Sequence, residues 1–243
     1  MKIFGNILLF ILSINVLNAQ SIAKIPEAQS IAKIPEASGI CFLAESKELI
    51  VVNDEGWIYR LKTNGTIIEK KHLGNYDFEG VTTYKNKLLI AVEDKNAIFI
   101  VDKKSLKIIK KVTIKKHKAL KKSKKHGLEA ITVLDDTIYL SHQTSGIFTI
   151  DGIKHEKARV REIYQHGYKD IAGLSAKDGF LYMSSDKKNL LIKYDIKNAR
   201  TLFKVKLPKS AQEGVCFDDE NNVYIADDKG QVLKYTTKEL GLR

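Results

Sequence analysis

Two cysteines, two methionines and one tryptophan in 243 residues leave little for thiol, thioether or indole chemistry. No Cys-x-x-Cys, His-x-x-x-His or EF-hand pattern occurs, so no transition metal has specific support. There is no Gly-x-Ser-x-Gly elbow, no Walker loop and no dinucleotide fingerprint, which removes the common serine-hydrolase, nucleotidase and nicotinamide-enzyme assignments. The 3.6-residue amphipathic pattern is weak, leaving little room for helices. Without its N-terminal segment the chain has about 220 residues, enough for one domain with a real core and too few for two.

What is present is a short acidic phrase that returns five times. The copies are Glu36-Ala-Ser38-Gly39-Ile40, Asp77-Phe-Glu79-Gly80-Val81, Gly127-Leu-Glu129-Ala130-Ile131, Asp170-Ile-Ala172-Gly173-Leu174 and Ala211-Gln-Glu213-Gly214-Val215. Measured at positions 38, 79, 129, 172 and 213, the intervals are 41, 50, 43 and 41. Each phrase opens two β-rich runs around a short polar break, as in Leu49–Val52, Asn53–Gly56 and Trp57–Leu61, which is a hairpin pattern. A period near 40 to 45 with several strands per unit is the signature of propeller blades. The prediction is an all-β, five-bladed β-propeller occupying residues 38–243.

Four units end in a further strand, such as Leu106–Ile114 or Thr201–Leu207, and the fifth stops near Tyr235, one strand short. An open sheet edge is an aggregation liability. A strand lent by the opposite terminus removes it, and the lender is the duplicated nonapeptide of residues 20–37, Gln20–Ala28 repeated identically as Gln29–Ala37. The first copy is assigned as the closing strand, with the second as its competitor.

Residues 1–19 read as a targeting segment: Met1-Lys2, an apolar stretch from Ile3 to Leu17 broken by Gly5, Asn6, Ser13 and Asn15, then Leu17-Asn18-Ala19. A cleaved signal peptide and an uncleaved membrane anchor are the two alternatives. Export implies an oxidising compartment, so Cys41 and Cys216 must be weighed as a disulfide. They share one repeat position with Thr82, Thr132 and Ser175, a column of small side chains expected to pack between blades. Inner strands of adjacent blades are expected to stand farther apart at this position than the roughly 7 Å bridging limit, which favours two buried thiols.

The chain carries 41 Lys and Arg against 29 Asp and Glu, a net charge of +12 that attracts anionic surfaces. Lys115, Lys116, Lys118, Lys121, Lys122, Lys124 and Lys125 lie in the insertion that lengthens the second interval. That segment is either a solvated loop or a contact for an envelope protein, lipid or polysaccharide. Nucleic acid is not expected, because no aromatic residue interleaves the lysines.

Acids concentrate where one propeller face should be. Inner-strand starts carry Glu36, Asp77, Glu79, Glu129, Asp170 and Glu213; hairpin turns carry Asp54, Glu93 or Asp94, Asp186 and Asp227, with His142 in the third unit. Residues two apart on a strand point the same way, so both inner positions can address the channel mouth. Such a ring of like charges is satisfied either locally, by lysines, amides and water, or by a hard cation such as Ca²⁺ or a cationic ligand. His72, His117, His155 and His166 fall at loops or strand ends and read as surface residues, and Trp57 reads as core. Ser141 and His142 are adjacent and face opposite sides of a strand, which argues against a nucleophile and base pair.

Glu36-x-Ser38-Gly39, Asp77-x-Glu79-Gly80 and Gly127-x-Glu129-Ala130, with Asn53-Asp54-Glu55 between the first two, resemble the SdiA-regulated family of exported bacterial β-propellers, related to phytase-like and esterase-like propellers. The resemblance covers nearly the whole mature chain. It implies a periplasmic protein, or one tethered by its N-terminus to the outer face of the cell membrane. Ala172 stands where three other units have Glu, which argues against a symmetric five-fold ion site. The expected function is a monomeric binding or scaffold module of the envelope; a metal-dependent phosphoesterase or esterase-like hydrolase is the alternative.

Overall fold

The computed structural model describes residues 25–118, 127–143 and 146–242. Among them the protein is all-β, with twenty strands and no helix. The first is β1 (Gln29–Lys33). The first repeat unit forms β2 (Ala37–Leu43), β3 (Glu48–Asn53), β4 (Trp57–Lys62) and β5 (Ile67–His72). The second forms β6 (Phe78–Tyr84), β7 (Lys87–Val92), β8 (Ala97–Asp102) and β9 (Ile108–Ile114). The third forms β10 (Leu128–Leu134), β11 (Thr137–His142), β12 (Gly146–Asp151) and β13 (Lys157–Tyr164). The fourth forms β14 (Ile171–Lys177), β15 (Phe180–Ser185), β16 (Leu190–Asp195) and β17 (Arg200–Lys206). The last supplies only β18 (Gln212–Phe217), β19 (Asn222–Asp227) and β20 (Gln231–Thr236).

Within each unit the strands pair antiparallel in chain order, and β1 pairs antiparallel with β20 through Gln29↔Lys234 and Lys33↔Gln231. The second and third units are also joined edge to edge, because β13 pairs parallel with β9 at Lys157↔Thr113 and Ala158↔Ile114. The inner strands touch in the cyclic order β2, β6, β10, β14, β18 and back to β2. Five hydrophobic layers lie between successive sheets, including one between the last unit and the first, built on Ile40, Val51, Tyr59, Tyr224 and Val232. This arrangement is propeller-like.

The strand beside β20 is the second nonapeptide copy, not the first as expected from the sequence. The physical reason lies in the residues that follow it. Ile34 is fully buried and donates its N–H to the Gly230 carbonyl at 3.1 Å, while the Pro35 carbonyl accepts from Asn53 Nδ2 at 3.0 Å. The second copy thus serves as strand and as connection to β2. The first copy in that slot would leave nine extra residues to loop before β2 and would add closure entropy. Residues 20–24 lie outside the described residues; Ile25 and Ala28 pack against the layer between the fourth and last units.

Small residues follow the key repeat position for a steric reason. A Cβ on Gly39 would stand 2.8 Å from the Gly80 Cα, one on Gly80 2.8 Å from the Ala130 Cα, and one on Gly214 2.6 Å from the Ser38 carbonyl. The inner strands therefore approach so closely that the space between them shrinks to about 10 Å³, room for about one water. Cys41 and Cys216 are free and buried in this region, with burial pushing the Cys41 thiol up to about 12 and raising Cys216 also. Such thiols are unreactive.

Candidate functional site

Every inner strand carries a register shift at the repeat position. The pairing skips Ser38 between Ala37 and Gly39, Glu79 between Phe78 and Gly80, and Ala172 between Ile171 and Gly173; the corresponding shifts span Glu129 and Glu213. A bulge leaves its extra residue unpaired and re-aims its side chain. Here it turns Glu79, Glu129 and Glu213 toward one another, so that one carboxylate oxygen from each lies within 4.8 Å of the others. Asp54, Asp77 and Glu79 form a second such group. Glu79 belongs to both, so five carboxylates from four units make one continuous acidic site.

The turn acids arrive by a repeated backbone bond. The N–H groups of Asp54, Glu93, Gln143 and Asp228 donate to the carbonyls of Glu36, Asp77, Gly127 and Ala211 at 3.4, 2.9, 3.3 and 3.0 Å. Asp228, rather than the expected Asp227, therefore holds the turn position of the last unit. Counting from the end of the second strand would have found it: Asn53, Val92, His142, Ser185 and Asp227 share one column and the next residues share another. Glu93 and not Asp94 faces the site, since Asp94 pairs with Lys95 at 2.6 Å. Gly127 makes room for it, because a Cβ there would stand 2.4 Å from Glu93 Cγ. Ser38, overlooked in the sequence, has its one hydroxyl within donating reach of both Asp54 Oδ1 and the Glu36 carbonyl. Glu36 itself is exposed. Asp170 is half-buried and paired with Lys187 at 3.2 Å. His142 is buried in β11. Lys115, Lys116 and Lys118 lie on the surface beyond β9, whereas Lys121, Lys122, Lys124 and Lys125 fall outside the described residues. Trp57 is half-buried, its ring 4.9 Å from that of His72. His166 is not a free surface residue: burial lowers its pKa, and its Nδ1 accepts from the Tyr168 N–H at 3.1 Å.

The acids raise one another's proton affinity. Burial pushes Glu129 up to about 8, aided by Glu93, Asp170, Asp77 and Asp54. Burial, then a hydrogen bond with Asp77, brings Glu93 to about 7, and burial brings Asp54 to about 6 against the opposing Ser38 bond. Glu79 and Glu213 are raised well above the usual carboxylate range for the same reason, burial first and neighbouring carboxylates second. Among the described residues, Asp170–Lys187 is the one ion pair made by Asp54, Asp77, Glu79, Glu93, Glu129, Asp170, Asp186, Glu213 or Asp228. Among the described residues, lysines therefore do not neutralise the centre of the site. A hard cation with oxygen ligands fits it: oxygens bound to one Ca²⁺ at roughly 2.3–2.6 Å stand up to about 5 Å apart.

Asp227 is a different case. It is fully buried, its Oδ1 accepts from the Lys229 N–H at 3.0 Å, and its Oδ2 has no partner among the described residues. Gln212 Oε1, on the cross-strand neighbour, is likewise unpartnered. Asn53 fills the same column with an amide that both donates and accepts. Asp227→Asn is expected to raise stability by about 1 kcal/mol by supplying a donor where two acceptors stand unsatisfied. A chemical melt showing the variant less stable than the wild type would contradict this.

Residues 15–229 match the sequence profile of the SdiA-regulated family. The chain belongs to that family. No curated protein matches it by sequence. Among solved structures, this SdiA-regulated protein is similar to the glutaminyl cyclase of Myxococcus xanthus, with a TM-score of 0.70 and 10% identity over 86% of this chain and 94% of that one. It is also similar to the WD40 β-propeller domain of Doa1 (TM-score 0.52, 12% identity, 82% and 78% covered). A catalytically inactive virginiamycin B lyase from Staphylococcus aureus, solved with quinupristin, matches at TM-score 0.52 and 12% identity over 82% and 80%. At these identities the likeness establishes the propeller-like fold alone.

Proposed function

We propose that the chain is a five-bladed propeller of the cell envelope, closed by the nonapeptide strand β1, whose acidic mouth binds a divalent cation, Ca²⁺ by preference, as part of a binding or scaffold module. The observation that carries this reading is the meeting of Glu79, Glu129 and Glu213 within 4.8 Å without a paired lysine among the described residues. A cluster of carboxylates at this proximity suits the flexible six-to-eight-oxygen coordination of Ca²⁺ more readily than the strict octahedron that Mg²⁺ demands. Five blades are supported by five repeat units, five interlayer cores and the cyclic contact of the inner strands. Export to the periplasm or the outer face of the membrane is supported by the residue pattern of 1–19.

The second reading is a metal-dependent hydrolase of phosphoesters or esters. Glu93 favours it, because burial and its hydrogen bond with Asp77 bring it to about 7, where beside a cation site it could serve a bound water as general base. Metal analysis of the purified mature protein, with melting curves before and after chelator, tests the first reading. Near-stoichiometric Ca²⁺ and a lowered melting temperature on chelation are expected. Metal-free protein whose melt ignores both chelator and added Ca²⁺ would contradict it.

A further inference from the structure

The parallel pairing of β13 with β9 creates a feature apart from the acidic mouth. It holds the turn before β13 against the end of β9 through Thr113 N–H to Glu156 carbonyl at 3.0 Å and Lys115 N–H to Ala158 carbonyl at 2.9 Å. A cleft of about 510 Å³ opens beside this junction, lined by Lys115, His155, Lys157 and Arg159 together with Asp151 and Glu156. Asp151 is engaged by Arg161 at 3.6 Å. Lys115, Lys157 and Arg159 make no ion pair among the described residues, although carboxylates stand in the same cleft. Lys110, whose ammonium donates to the Lys154 carbonyl at 2.6 Å, Lys154 itself and Lys116 extend the positive field around it.

From this we infer that the cleft is a binding site for a phosphate ester. Three cations from two different repeat units converge without committed partners, so an arriving anion displaces no existing ion pair. Arg159 supplies a planar fork that can meet two phosphoryl oxygens at once, while Lys157, two residues away on the same strand, and Lys115 from the end of β9 add point charges to the lining. The volume falls in the range of small-molecule sites and exceeds what a bare phosphate needs, leaving space for the esterified group. The phosphoryl group could belong to a soluble ester or to a lipid headgroup. Both present the same chemistry to the cleft, and it is independent of the cation site at the mouth.

The test uses the full mature chain, with inorganic pyrophosphate in calorimetry as the soluble probe. Sedimentation with phosphatidylglycerol–phosphatidylcholine vesicles, against phosphatidylcholine alone, is the lipid probe. The Lys157→Gln/Arg159→Gln variant and, separately, Lys115→Gln are compared with a variant in which Lys121, Lys122, Lys124 and Lys125 are all Gln. All three cleft residues are exposed, so the variants are expected to melt like the wild type. The expected result is salt-sensitive binding of at least one probe that falls about ten-fold or more in the double variant and measurably in Lys115→Gln. Pyrophosphate binding without vesicle binding points to a soluble ester, and vesicle binding, with or without pyrophosphate binding, points to a headgroup. Absence of binding to either probe, or a loss confined to the four-lysine variant, would overturn the site.

Discussion

Changing Glu79 and Glu129 together to Gln is expected to abolish the Ca²⁺-induced rise in melting temperature and to stabilise the metal-free protein at alkaline pH. The first effect follows from mass action. A ligand at about 100 times its Kd adds about 2.7 kcal/mol, roughly 5 to 10 °C for a domain of this size, and the variant lacks two of the converging carboxylates. The second follows from linkage. Glu129 is raised to about 8 and Glu93 to about 7 in the fold, while both return to near 4.5 when unfolded. The folded state therefore binds more protons, and its stability is fully present below about pH 4.5 and is lost as pH rises toward about 8. In chelator, the wild type should lose stability progressively between about pH 5 and 8, by up to about 1.4 kcal/mol per pH unit for each carboxylate that deprotonates in that window. The double Gln variant should show a flatter profile, because its amides cannot ionise and the remaining acids have fewer like charges beside them. With Ca²⁺ present the wild-type profile should flatten as well, since the ion offsets the repulsion. A wild type whose melting temperature rises with pH in chelator would reverse the sign and sink the electrostatic picture.

Removing residues 20–37 should cost the domain its cooperative fold. The truncation strips β1 from β20, takes away the fully buried Ile34 and Ala37, and deletes the carbonyls of Pro35 and Glu36 that hold Asn53 and Asp54. Burial of one isoleucine side chain alone contributes about 1.5–3 kcal/mol, against a total stability of about 5–15 kcal/mol for a whole domain. The exposed β20 edge also becomes an open template for aggregation. Removing a single nonapeptide is a different experiment. Because the copies are identical, deleting either one yields the same chain, in which the surviving copy occupies the slot of β1. That protein should keep its cooperative fold and melt only a few degrees below the full mature chain, because it retains β1 and loses only the partly buried Ile25 and Ala28 packing. A chain lacking both copies that melts with the wild type would refute the structural role of β1.

Much of this architecture is legible in the sequence because a propeller is a repeat. The phrase around Ser38, Glu79, Glu129, Ala172 and Glu213 marks every inner strand, and the missing strand of the last unit pointed to the N-terminus. Period-2 reasoning also brought the acids to one face. It could not reveal why they converge so tightly. A bulge at the repeat position is invisible in a pattern of alternating residues, since it breaks that alternation by one. The same one-residue ambiguity placed Asp227 in the turn, where Asp228 stands, because both are acidic and adjacent. The choice between two identical nonapeptides could not come from composition at all; it depends on the short path from Lys33 to Ala37 and the bonds made along it. The edge-to-edge junction of β9 with β13, and the cleft beside it, are long-range pairings between units and leave no local signature.

Calorimetric titration of the metal-stripped wild type with Ca²⁺ bears most directly on the acidic site. Saturable binding near one ion per chain is expected, with proton release to the buffer at pH 7 as the ion displaces protons from the raised carboxylates, and with no such binding in the Glu79→Gln/Glu129→Gln variant. Absence of binding heat and of any melting shift at millimolar Ca²⁺ would contradict it, leaving the converging glutamates as a proton-sharing structural cluster.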